Sequence, residues 1–286
     1  MKDTIFNSKI TFNCQGNLHE FENPTIMGII NTTPDSFFEN SRTESIESTL
    51  EQVARFKEEG VDIIDIGGYS SRPGAKDVSE IEEIERTKPT IEAIRKLYPH
   101  ILISIDTFRP EVAEQALLSG ANIINDISGG QNDSRIYKIA SKYLAPYIMM
   151  HMRGTPQNMQ KDTSYKNLLK DLIHFFSERI ETAKRNGVSD IIIDPGLGFS
   201  KTLNQNYEIV SKLRLLNVLN TPILIGASRK SMLYNLLDTD AESTLNATTI
   251  VNTISTMNGA NILRVHDVKE AKEVQTIINK INNRDK

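Results

Sequence analysis

Cysteine is all but missing: the single thiol at Cys14 in 286 residues excludes an intrachain disulfide and a cysteine-based zinc site, and reads as a lone packed thiol. No run of about 18 uninterrupted apolar residues occurs, so no segment reads as a membrane span. The opening Met1-Lys-Asp-Thr-Ile-Phe6 lacks the basic stretch and apolar core of an export signal, and a cytoplasmic location is expected. An excess of positive charge is also lacking. With 33 Lys and Arg against 37 Asp and Glu, the formal net charge is -4, which excludes a nonspecific nucleic-acid binder but leaves room for a local cationic pocket. His19, His100, His151 and His174 show no spacing for zinc, and no glycine pattern fits a phosphate-binding Walker loop or a dinucleotide fingerprint. No linker of biased composition divides the chain, so 1–286 is expected to be one domain.

What is present is a repeated grammar: an apolar run of strand length, a polar cluster at its end, then a helical stretch. It is clearest at Ile223-Leu-Ile-Gly226-Ala-Ser228-Arg229-Lys230-Ser231 and recurs around Asn31, Asp65, Asp106, Asn125, His151, Asp194 and Arg264. Residues 1–25 alternate apolar and polar about a Gln15-Gly16 turn, which predicts a hairpin capping one end of the body. Near-continuous apolar runs predict strands buried on both faces at 25–30, 62–66, 101–105, 122–125, 147–150, 191–193, 223–225 and 261–265. Apolar residues at helical spacing predict helices over 43–59, 79–97, 110–119, 134–142, 165–185 and 269–281, with Ser231 opening a short one. Ser79 with Glu82 has the form of a capping box, and Pro110 stands in the first turn, where proline is tolerated.

Roughly eight β-then-α units over 26–286 are what a (β/α)8 TIM barrel requires. An open doubly wound sheet uses the same alternation with fewer strands. Equal spacing and the polar residues after nearly every strand favour closure, because only a barrel brings strand ends distant in sequence to one rim.

That rim carries the chemistry. Asp106, Asn125 and Asp194 offer carboxylates and an amide to a flat nitrogen heterocycle with parallel N–H donors; each alone would serve equally well as a helix cap. Ser228, Arg229, Arg264 and His266 follow strands seven and eight, where barrels often hold phosphate. Amides at the start of the Ser231 helix suit a carboxylate. Asn31 and Asp35 are oxygen donors of the kind magnesium takes, although Asp35 beside Ser36 also suits a turn.

Eight motifs in order, Asn31-Thr-Thr-Pro-Asp-Ser-Phe37, Asp65-Ile-Gly-Gly-Tyr-Ser-Ser-Arg-Pro-Gly-Ala75, Ser104-Ile-Asp-Thr107, Asn125-Asp-Ile-Ser-Gly-Gly130, His151-Met-Arg-Gly-Thr-Pro156, Asp194-Pro-Gly-Leu-Gly-Phe199, Ser228-Arg-Lys-Ser231 and Arg264-Val-His-Asp267, resemble the dihydropteroate synthase family of folate biosynthesis. The resemblance implies a dimeric barrel transferase joining (7,8-dihydropterin-6-yl)methyl diphosphate to 4-aminobenzoate, with magnesium as cofactor and sulfonamides as competitors. Carried over by position, it implies a pterin site of Asp106, Asn125, Asp194 and Lys230, lined by Ile127, Met150, Phe199 and Gly226. Arg264 and His266 would hold the diphosphate, Asn31 the magnesium. Phe37, Ser71, Arg72, Pro73, Phe199 and Ser231 would form the aminobenzoate site, with Asp35, Ser71 and Arg72 on loops that order over the reaction. Tyr69 stands where the family usually has glutamate and Ser71 where it usually has threonine. Two other classes share the pterin pocket: a barrel passing a methyl group from a folate to a corrinoid, and a catalytically silent folate binder. The methyl-passing barrel has no need for Ser71-Arg72-Pro73 or Ser228-Arg229-Lys230-Ser231.

Overall fold

The alternation of strand and helix closes on itself in the computed structural model, which describes residues 10–32, 46–69 and 78–282. The parallel strands β3 (Thr25–Asn31), β4 (Ile63–Gly67), β5 (Leu102–Asp106), β6 (Ile123–Asp126), β7 (Tyr147–Met150), β8 (Ile191–Asp194), β9 (Leu224–Ile225) and β10 (Ile262–Val265) form one 8-stranded sheet in the order β8-β7-β6-β5-β4-β3-β10-β9. A parallel bridge between Ile193 and Ile223 joins its two edges, reinforced by the Ile193 amide donating to the Pro222 carbonyl at 2.9 Å. The sheet is therefore a nearly closed barrel, and the open-sheet alternative is set aside.

The helices are α1 (Ile46–Glu58), α2 (Glu80–Leu97), α3 (Pro110–Leu118), α4 (Arg135–Lys142), α5 (Leu168–Arg185), α6 (Leu203–Ser211), α7 (Ser231–Leu237), α8 (Leu245–Met257) and α9 (Val268–Ile281). Pro110 opens α3 as the sequence indicated. The Ser79 hydroxyl accepts from the Glu82 amide, whereas the Glu82 carboxylate accepts from Arg86 one turn on. The expected helix over 165–185 starts at Leu168, where Asn167 caps the Lys170 amide. Helices α6 and α8 were not foreseen. The Thr202–Gln205 capping box that opens α6 is complete in both directions.

The period of two along each strand sorts its side chains between two cores. Outward residues such as Ile26, Ile30, Ile64, Ile66, Ile103, Ile105 and Ile124 pack beneath the helices. This explains the uninterrupted apolar runs. Gly28 lies on that face because a Cβ there would come within 2.7 Å of the Phe56 ring on α1. Inward residues near the strand starts, Met27, Ile63, Leu102, Ile123, Ile148, Ile192, Leu224 and Ile262, form a second core.

The antiparallel hairpin β1 (Ile10–Cys14) and β2 (Asn17–Phe21) closes that second core from below with Phe12, Cys14 and Phe21. It is tied to the barrel loops by Gln15, whose amide donates to the Leu144 carbonyl at 3.0 Å and whose side chain donates to the Ala121 carbonyl at 3.0 Å. Cys14 is buried here, and burial lifts its thiol to about 12, so it packs as a small apolar group. Apolar filling at this end leaves the C-terminal ends of the strands as the place for polar residues. Phe12 is only 2% exposed, so Phe12→Ala should cost about 3 kcal/mol in urea denaturation followed by circular dichroism.

Candidate functional site

A cavity of about 780 Å³ opens at the C-terminal ends of the strands, a volume that suits a ligand of two fused rings with a substituent. Its floor is the inward layer two residues above the apolar plug. Asp65 on β4, Asn125 on β6 and Arg264 on β10 form one polar cluster there, and Asp106 ends β5 beside it. Arg264 donates through Nε to Asp65 Oδ2 at 2.6 Å and through Nη2 to Asp106 Oδ2 at 2.6 Å. Asn125 Nδ2 donates to the same Asp65 oxygen at 3.1 Å. Neither Asp106 nor Asn125 caps a helix, since α3 and α4 begin from Arg109 and Ser134.

Across the mouth, Asp194 closes β8, and its Oδ1 accepts from the Gly196 amide at 2.7 Å. Gly196 holds φ +70, and a Cβ there would lie 2.3 Å from the His151 carbonyl. Only glycine fits so close a turn. Lys230 Nζ donates to the Leu197 carbonyl at 2.6 Å and lies 4.6 Å from the centre of the Phe199 ring. Ile127, Met150, Met152 and Met159 form a separate apolar cluster with Phe199 packed against it, which supplies a flat greasy wall. Gly226 leaves the backbone just after β9 bare between Lys230 and Arg264. His266 Nδ1 stands 3.0 Å from the Ser228 hydroxyl, and Ser231, first residue of α7, lies on the same rim. Asn31, at the end of β3, also lines the cavity. Asp35, Phe37, Ser71, Arg72 and Pro73 lie outside the described residues.

Residues 27–266 match the family described as pterin binding enzyme. The chain belongs to the pterin-binding enzymes. Among its relatives, the dihydropteroate synthase of Synechocystis sp. is 44% identical over 252 residues, 87% of each chain. The crystal structure of the Yersinia pestis dihydropteroate synthase with a sulfonamide drug complex superposes with a TM-score of 0.91 at 36% identity, covering 96% of this chain and 100% of that one. The Thermus thermophilus enzyme in complex with 4-aminobenzoate gives 0.84 at 30% identity, covering 95% and 100%. The family within the pterin-binding enzymes is thus that of the dihydropteroate synthases.

Charge at this mouth is crowded and buried. Burial lifts the Asp106 carboxyl to about 7 against the opposing pull of Arg264. Burial likewise raises Asp194, which Lys230 counteracts, and lowers Lys230 to about 8, which Asp194 counteracts. For Arg264 burial works against the charged form, but Asp65 and Asp106 outweigh it and hold the guanidinium above its ordinary value.

Two residues were given no site role in the sequence reading. Lys201 lines the cavity with its ammonium buried against His151 Nδ1 at 3.1 Å and the Phe199 carbonyl at 2.8 Å. Burial brings it down to about 7 and, with Lys201 alongside, brings His151 down to about 2, so the imidazole is neutral. Asp65 stands within β4 rather than after it, completely buried. The only sequence signal for either was membership of a strand-end polar cluster.

Arg229 is corrected. Expected in the anion-binding group, it forms a two-pronged pair with Asp267, Nε to Oδ2 at 3.0 Å and Nη2 to Oδ1 at 2.9 Å, and donates to the Ala241 and Glu242 carbonyls. Its side chain is 7% exposed. Its left-handed φ of 55, which costs on the order of 1 kcal/mol, is held by that set of contacts. Arg229→Ala strands the Asp267 carboxylate and should lower stability by about 3 kcal/mol in urea titration, and Arg229→Lys, lacking the planar fork, should recover less than half of the loss.

Proposed function

We propose that this chain condenses (7,8-dihydropterin-6-yl)methyl diphosphate with 4-aminobenzoate to give 7,8-dihydropteroate and diphosphate, the reaction of its relatives' name. The observation that carries the reading is the meeting of Asp106, Asn125, Asp194, Lys230 and Arg264 around one cavity. The side chains come from five different strand ends and match, in type, the donors and acceptors on a pterin's edge. The carboxylates of Asp106 and Asp194 accept N–H bonds, Asn125 can accept and donate, and Lys230 donates. Met150 and Ile127 supply the apolar wall, and Phe199, already under the Lys230 ammonium, packs on the ring and borders the second substrate.

Chemistry then follows from where charge develops. Heterolysis of the C–O bond leaves its electron pair on the diphosphate, and Arg264 with His266 stabilises that growing negative charge. The electron-rich dihydropterin shares the positive charge on its methylene, giving an SN1-like path. The aniline nitrogen adds its lone pair to that carbon and gives up a proton. The Ser231 end of α7 receives the 4-aminobenzoate carboxylate, and Asp35, Phe37, Ser71, Arg72 and Pro73, which lie outside the described residues, belong to that site in the same reading.

The reading includes magnesium. Among the described residues no group of three or more His, Cys, Asp and Glu side chains could cage a metal ion. A single oxygen donor such as Asn31 at the cavity edge nevertheless suits magnesium, which keeps water and takes the rest of its ligands from phosphate oxygens. Asn31 would hold it, and when bound it supplies charge neutralisation for the diphosphate.

A homodimer belongs to the same proposal. Ile250, Ile254 and Met257, 50%, 41% and 49% exposed, share one face of α8, and Leu215 and Val218 on the 3-10 turn Leu213–Leu219 are 53% and 72% exposed. Arg214 ties that turn to the end of α8 by donating to the Met257 carbonyl at 2.7 Å, so the two apolar surfaces adjoin and offer a second copy a patch to cover. Among the described residues no helix is long and apolar enough to cross a membrane, in keeping with the cytoplasmic location we propose.

Mass detection of dihydropteroate from the two substrates and magnesium tests the reading. In calorimetry 4-aminobenzoate should bind only once pterin and diphosphate are present; a methyl-transferring barrel would ignore it throughout. The site also sets a pH window. Below about 7 Asp106 carries a proton and loses its full acceptor capacity. Above about 8 Lys230 loses the charge that offsets Asp194. Pterin affinity should therefore peak between those values and fall on both sides, and titration calorimetry from pH 5.5 to 9.5 checks it.

A further inference from the structure

Asp65 is a buried carboxylate to which the reaction above gives no direct part. It sits in β4, in the inward layer beneath the mouth, and its side chain is 0% exposed, whereas those of Arg264 and Asp106 keep 19% and 20%. Its Oδ2 receives Arg264 Nε at 2.6 Å and Asn125 Nδ2 at 3.1 Å. Among the described residues its Oδ1 finds no hydrogen-bond partner, and neither does the Ser104 hydroxyl at the paired position on β5. A carboxylate buried with one bare oxygen costs stability, a cost that its pairing with Arg264 offsets only in part. Packing alone therefore gives no reason for an aspartate here.

The two carboxylates on Arg264 differ in what can reach them. Asp106, at the mouth, accepts from Arg264 Nη2 with the same group that must turn to a pterin N–H. Asp65 lies below, out of reach of any ligand. It holds Arg264 at Nε, the nitrogen nearest the stem, which fixes the plane of the guanidinium and leaves its outer end directed to the mouth. We propose that Asp65 is a positioning residue: a counter-charge closed to ligand that keeps the Arg264 guanidinium and the Asn125 amide in place while Asp106 exchanges Arg264 for the pterin. Without it, Arg264 has only Asp106 to pair with among these two and competes with the pterin for that carboxylate, and Asn125 loses the acceptor that orients it. Supporting groups of this kind typically change activity 10- to 100-fold when removed.

The inference rests on the reaction proposed above, and the experiment separates the two. Asp65→Asn keeps volume and one acceptor oxygen but removes the charge. In the full chain it should lower kcat/KM for the pterin diphosphate roughly 10- to 100-fold and leave KM for 4-aminobenzoate within about twofold, while the thermal midpoint falls because Arg264 loses one of its two buried counter-charges. Because Asp65 acts mainly through Arg264, with a smaller part through Asn125, the same substitution in an Arg264→Gln background should cost several-fold less than it does in the wild type. Wild-type kinetics in Asp65→Asn, an undiminished penalty in the Arg264→Gln background, or a loss shared equally by both substrates would each overturn the positioning role. If Asp65→Asn is not recovered folded, Asp65→Ser carries the same cycle. A wild-type chain that makes no dihydropteroate overturns the reaction instead. Calorimetric binding of 6-hydroxymethylpterin, expected roughly tenfold weaker in Asp65→Asn, then still reads the part played by Asp65, and equal affinities would overturn it.

Discussion

A guanidinium in the middle of an apolar barrel needs counter-charge, and the way Arg264 obtains it determines how the polar end of this molecule is built. Its two carboxylates come from β4 and β5, while Arg264 itself is carried by β10. Strands distant in sequence are thereby pinned at one point, and Asn125 joins from β6 through the same Asp65 oxygen. The network is affordable only because barrel closure brings those strands round a common axis. In an open sheet the same residues would be strung along an edge, each exposed and unpaired.

The opposite end of the barrel has the reverse character. Met27, Ile63, Leu102, Ile123 and their neighbours are closed over by Phe12 and Phe21 of the hairpin, so water is kept out without a buried charge. The mouth carries what a stable core avoids: Asp106 and Asp194 raised, Lys230 and Lys201 lowered, each chiefly by burial. Those shifts mean that the ligand-free protein holds its charged groups under-solvated, and a ligand offering N–H donors and phosphate oxygens supplies partners that water does not.

Most of the barrel is legible from the chain because the signal is local. A strand buried on both faces must be apolar throughout, and residues at its end are polar if a site lies there. Helices α1, α2, α5 and α9 also announce themselves through apolar spacing. Helix α8 does not. Its buried residues include Thr248, Asn252, Ser255 and Thr256, and its β-branched residues are weak helix formers, so neither periodicity nor propensity marks it. Helix α6 is hidden for the same reason, burying Asn206 beside Ile209 and Val210. Side-chain partnerships are less legible still. Ser228-Arg-Lys-Ser231 reads as one cationic cluster, yet the partner of Arg229 is Asp267, 38 positions away, and Lys201 meets His151 across 50. Nothing within a short window distinguishes a cation that is spent on the fold from one kept for a ligand.

That distinction carries structural meaning around β9. The left-handed turn at Arg229 reverses the chain between two residues that face the cavity. Ser228 is bonded to His266, and Lys230 reaches the Leu197 carbonyl. Between them the Arg229 guanidinium is gripped by Asp267 and two carbonyls. Since an unsupported arginine avoids positive φ, the buried ion pair is what makes the turn tenable. The turn in turn aims Lys230 at the mouth and starts α7 at Ser231. The site therefore uses its cations in two ways: Arg229 is neutralised permanently to set the backbone, while Lys230 and the outer end of Arg264 are held by contacts that a ligand can replace.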